Sequence, residues 1–103
     1  MEWIEMVHLR SYSQTDRDEA AAAFHQLTVP ARVQEFEDVI LLRGIALDGD
    51  LCIVIRWSGE VPGMGKSPLG TRLASAFSEF GAIDHSAWIQ ECGFTADGKE
   101  NRP

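Results

Sequence analysis

The sequence predicts an α+β domain, one antiparallel sheet with both helices on the same face. Three observations predict it. Four segments alternate or run apolar as strands do, two segments carry an apolar stripe at helical spacing, and their order is β-α-β-β-α-β. The 103 residues are enough for one domain with its own core.

Trp3 to Tyr12 has period two: Val7 and Leu9 point one way, and Met6, His8 and Arg10 the other. Thr15-Asp16-Arg17-Asp18 reads as a helix start, with Thr15 as cap and acids in the first turn. Ala20, Ala23, Phe24 and Leu27 form the helix stripe, and Pro30 stops the helix. Val39 to Leu47 and Leu51 to Trp57 read as two strands joined by a tight Asp48-Gly49 turn, because both turn positions tolerate positive φ. Ser58 to Lys66 is a loop by composition. Ser67-Pro68 is the second helix start, Leu69, Leu73, Ala76, Phe77 and Phe80 its stripe, and Gly81 its stop. Asp84 to Glu91 is the last strand. This is the ferredoxin-like split βαβ arrangement, with strand order 4-1-3-2 and the first and third strands central. The expected division is a domain over residues 1–92 and a polar tail over 93–103 that frays.

A two-residue Asp48-Gly49 turn sets Ile45 opposite Cys52, Arg43 opposite Val54 and Leu41 opposite Arg56. Ile40, Leu42, Ala46, Leu51, Ile53, Ile55 and Trp57 then share a face without charge, which must lie under the helices, joined by Val7 and Leu9. The open face collects Met6, His8, Arg10, Leu41, Arg43, Ile45, Cys52, Val54, Arg56, Ser86, Trp88 and Gln90. That mixture is too apolar to stay in water and too cationic for a dry core. Both objections ease if two copies pair through this face around a polar pocket.

A net charge of −7 opposes binding to nucleic-acid backbones or anionic membranes, but not to a small organic anion. The acidic start lacks a signal core, and Val39 to Leu47 is too short to cross a bilayer, so the expected location is cytoplasmic. Cys52 and Cys92 lack CxxC spacing, and Cys52 reads as a small buried residue. Gly65-Lys66-Ser67 sits where a phosphate loop would, but its first glycine should stand at position 60, which is Glu60. That helix start could still hold a lone anion. His8 and His85 face opposite sides, and no third ligand stands at metal spacing, so no metal site is expected. No cofactor signature is present.

In order, length and the stretch Ser78 to Glu91 (SEFGAIDHSAWIQE), the chain resembles the dimeric α+β barrel superfamily over Trp3 to Glu91. That group includes antibiotic-biosynthesis-type monooxygenases and stress-responsive α/β-barrel proteins. The resemblance implies a homodimer closed through open sheet faces, with a ligand between sheet and helices or in the barrel. Haem-degrading members use an Asn on the first strand, a Trp, and a His on the second helix. Trp57 could stand for the Trp, but His8 occupies the first strand and Leu69 to Phe80 has no His.

The expected function is a small-molecule-binding protein or cofactor-independent, monooxygenase-like enzyme acting on an organic anion. His8 would be the acid or base, Arg10, Arg43 and Arg56 the anion grip, and Trp88 the apolar wall. The alternative is a non-catalytic dimeric interaction or regulatory module, in which the arginines join subunits through Glu35, Glu37 or Glu91.

Overall fold

The structure, a computed structural model, describes residues 2–29 and 33–98 and the backbone of 100–101. Four strands, β1 (Glu2–Ser11), β2 (Phe36–Arg43), β3 (Asp50–Ser58) and β4 (Gly81–Ile89), form one antiparallel sheet ordered β2-β3-β1-β4. Helices α1 (Gln14–His25) and α2 (Pro68–Phe77) cover one face. This is the ferredoxin-like arrangement, in the strand order the sequence implies. Beyond it, β5 (Gly93–Phe94) and β6 (Glu100–Asn101) pair with each other, so the polar tail carries a small hairpin. The expected stop at Pro30 lies outside the described residues.

Alternation makes β1 and β3 the centre of the core. Val7, Leu9, Ile53 and Ile55 are almost wholly buried beneath the helices, each stabilising the fold by roughly 1.5–3 kcal/mol. Leu73 and Phe77 of α2 and Ala20 of α1 close the core from above. Trp3 stacks on Trp57 at 5.7 Å, and Phe36 meets Trp57 edge-on.

Four local expectations are corrected. The cap of α1 is Ser13, not Thr15: its extended backbone lets Oγ accept the Asp16 N–H at 3.0 Å. Gly81 does not stop α2, which ends at Phe77, but opens β4, where a Cβ would lie 2.1 Å from the Arg10 carbonyl oxygen. The tight hairpin does not form. Residues 44–49 make the connection, closed by Gly44 N–H to the Asp50 carbonyl at 2.8 Å and Asp50 N–H to the Leu47 carbonyl at 3.1 Å.

The longer loop shifts the register, the fourth correction. Leu41 pairs with Ile53, and Arg43 with Leu51. Directly opposed residues share a face, so Val39 and Leu41 join the core. Ile40 and Leu42 move to the open face, and Ile45 leaves the sheet, fully exposed in the loop. Arg43 falls on the helix side, at the exposed end of an edge strand, and shares its face with Ile53. The run from Val39 to Leu47 is apolar in both phases, so its pattern could not choose between the registers.

Candidate functional site

The helix-side face is not free of charge, as the alternation had suggested. Glu5 lies in phase with Trp3, Val7 and Leu9 and is wholly buried. Burying a carboxyl is costly unless donors surround it. Here four converge. Oε1 accepts from Trp57 Nε1 at 3.1 Å and from Ser67 Oγ at 2.6 Å. Oε2 accepts from the Ser67 backbone N–H at 3.1 Å and lies 2.5 Å from His85 Nε2.

Each partner is placed by its element. His85 is brought in from β4 beside Val7, and Trp57 from β3 opposite Trp3. Ser67 caps α2, its Oγ accepting the Gly70 N–H at 2.9 Å, with Pro68 at the first helical position. The Ser67 backbone N–H at the start of α2 is taken up by the chain's own Glu5. Gly70 makes room: a Cβ there would sit 1.8 Å from Glu5 Oε2.

Against this cluster lies a pocket of about 280 Å³ between the sheet and the start of α2. Trp3, Trp57, Leu69 and Pro62 give it an apolar interior, Ser67 reaches its wall, and Glu35, Glu60 and Arg72 add charge. Trp57 and Ser67 therefore touch both the pocket and Glu5, which stands one side chain behind the wall.

The open face gathers His8, Arg10, Arg56 and Trp88, as the alternation of β1, β3 and β4 requires. Arg43 is not with them. The cations there are engaged within the chain. Arg56 Nε bonds both Asp38 carboxylate oxygens, at 2.9 and 3.0 Å, and its terminal nitrogen also meets Oδ2. That hydrogen bond holds the Asp38 carboxyl below its usual range and raises Arg56 further. Arg10 Nε donates to Asp50 Oδ1 at 3.3 Å, with His8 Nε2 at 3.6 Å from the same oxygen. An anion at this face would share each guanidinium with the aspartate already bound to it. Within the chain, the partners of Arg10 and Arg56 are cross-strand aspartates. Trp88 is 58% exposed, donates Nε1 to Ser86 Oγ at 2.9 Å, and shares a second pocket with Arg56 at the end of the sheet. His8 and Arg10 line a shallower one with Asp84. Cys52 and Cys92 are free thiols, and burial raises the pKa of Cys52.

Sequence reasoning missed Glu5. The signal was present: one charged residue stands in the phase of Trp3, Val7 and Leu9.

Sheet order and helix placement define a ferredoxin-like α+β fold, which solved structures share. In particular, the chain is similar in structure to SnoaB, a cofactor-independent oxygenase from Streptomyces nogalater: 17% identity over 87% of this chain and 93% of that one, TM-score 0.56. It is also similar to a Bordetella bronchiseptica protein assigned as an antibiotic biosynthesis monooxygenase: 17% identity over 86% of this chain and 96% of that one, TM-score 0.58. No protein-family model and no curated protein matches the chain.

Proposed function

We propose that this protein binds a small, weakly acidic aromatic molecule between its sheet and α2 and oxygenates it without a cofactor. The observation that carries the reading is the pocket itself, where stacked tryptophans form an apolar wall and Ser67, hydrogen-bonded to the buried Glu5 carboxyl, joins the lining. The names of the two structural neighbours point the same way. Oxygenation without a cofactor requires a substrate that is its own reductant. A methylene flanked by aromatic rings, once deprotonated, gives a stabilised carbanion that reacts with dioxygen; CH₂ and O₂ become C=O and H₂O. The organic anion expected from the sequence then forms on the protein rather than binding preformed, which suits a pocket bearing Glu35 and Glu60 beside Arg72.

A homodimer closed through the open face is part of this reading. Ile40, Leu42 and Trp88 are exposed there, with Ile4 and Met6 half-buried beside them, an apolar surface of the kind a second copy covers. Arg56 and Trp88 then stand at a pocket beside the interface, and His8 and Arg10 at its margin. No described helix is long and apolar enough to cross a membrane, and a cytoplasmic location is proposed with the rest. The paired arginines favour one alternative, a non-catalytic dimeric module whose open face serves only assembly.

Anthrone, which tautomerises to a phenol-like enol, tests the reading. Titration should quench tryptophan fluorescence saturably, and an oxygen electrode should record uptake that depends on protein. Binding without uptake would leave the non-catalytic module; neither response would overturn the site.

A further inference from the structure

We infer that Ser67, Glu5 and His85 form a proton-accepting relay serving the pocket, for substrates with an enolisable C–H next to an aromatic ring. The inference rests on the proposed reading and assigns the proton chemistry within it. Ser67 is the catalytic residue, because it lines the pocket; Glu5 and His85 act through it and are positioning residues.

The arrangement exceeds what structure alone requires. Capping α2 needs only Ser67 Oγ on the Gly70 N–H. An apolar side chain at position 5 would continue the core of Val7 and Leu9. Instead a carboxyl occupies that position, the helix above it has no side chain at Gly70, and a histidine is spent as its partner. The Ser67 hydroxyl hydrogen is committed to Glu5 Oε1, because the Gly70 N–H already occupies an acceptor site on the same oxygen. The oxygen keeps a second acceptor lone pair, and the residue lines the pocket.

The step balances as follows. The substrate C–H bond breaks, and its electron pair stays on the substrate as the enolate. The proton goes to Ser67 Oγ as the hydroxyl's own proton passes to Glu5 Oε1. His85, with Nε2 protonated, donates to Oε2 throughout and fixes the carboxyl in place. His85 is the titratable side chain in hydrogen-bond contact with Glu5; β3 contributes Trp57, α2 contributes Ser67 and Gly70, and the charged pocket residues are Glu35, Glu60 and Arg72.

The test separates proton removal from oxygenation. Anthrone is incubated with the protein in D₂O without oxygen, and loss of its methylene signal is followed by proton NMR. Wild type should accelerate exchange over buffer. Glu5→Gln and Ser67→Ala should slow it by about 100-fold or more, the usual share of acid–base catalysis, while fluorescence titration shows anthrone still bound. Ser67→Thr, which keeps hydroxyl and cap, should restore exchange. His85→Gln should retain part of the rate and alter its pH profile. Thermal melts establish that each variant is folded; Ser67→Thr and His85→Gln decide the outcome should Glu5→Gln fail to fold. Anthrone bound by wild type without accelerated exchange overturns the relay alone. Wild-type exchange in folded Glu5→Gln or Ser67→Ala does the same. Absence of anthrone binding overturns the proposed function and the substrate class together.

Discussion

Gly70→Ala should be strongly destabilising, against the ordinary expectation for a helix. Alanine in place of glycine within a helix stabilises it by about 0.5–1 kcal/mol. Here the added Cβ would lie 1.8 Å from Glu5 Oε2 and 2.3 Å from its carboxyl carbon. Neither side can give way cheaply: Glu5 is wholly buried and held by donors from β3, β4 and α2, and Gly70 lies in the first turn of a helix anchored by Leu73 and Phe77. Either Glu5 leaves its donors or the start of α2 lifts from the sheet. Breaking a buried, hydrogen-bonded charged cluster costs about 3–5 kcal/mol. After the helix gain is subtracted, the net loss is about 2–4 kcal/mol, a fall in Tm of about 10–25 °C for a domain this size. Thermal and urea unfolding by circular dichroism measure it. Gly63→Ala is the control, since a Cβ there meets nothing within 4 Å. A Gly70→Ala protein as stable as wild type would refute the argument that the buried carboxyl and the bare helix turn are matched.

Other outcomes follow from the same geometry. Ile40→Glu should convert the proposed dimer to monomer by light scattering, because it puts a charge among the exposed apolar residues of the open face; an unchanged mass would remove that face as the interface. Arg43→Met should change stability by no more than about 0.5 kcal/mol and leave both mass and anthrone binding alone, as suits a solvated edge residue. Asp38 has a folded pKa below its ordinary value of 3.8, so its pairing with Arg56 stabilises above that pH and is lost as pH falls through the lowered value. The stability gap between wild type and Asp38→Asn should therefore be constant near neutrality and close below about pH 3.8, which urea titrations at stepped pH would show. Iodoacetamide should label exposed Cys92 well before Cys52, whose thiol is half-buried with a raised pKa; mass spectrometry should find Cys52 slower still at high protein concentration if the open face is covered by a second copy.

Element order, the composition of both helices and the faces of β1, β3 and β4 could be read from the chain. Local chemistry sets them: period two through Val7 and Leu9 and through Ile53 and Ile55, the Ser67-Pro68 start of α2, and the i, i+4 spacing of Leu69, Leu73 and Phe77. The order of elements then restricts the sheet to few topologies, and the resulting fold matched the solved structures. Tertiary structure decided the rest. In Val39 to Leu47 both phases are apolar, so only pairing with β3 and the closure of residues 44–49 chose which face Arg43 would take. The pairing of Arg56 with Asp38 depended on that register, and that of Arg10 with Asp50 on the pairing of β1 with β3. Glu5 stood in the buried phase of β1 from the start. What a buried carboxyl does depends on donors brought from positions 57, 67 and 85, and their convergence exists only once the sheet has formed and α2 has settled across it.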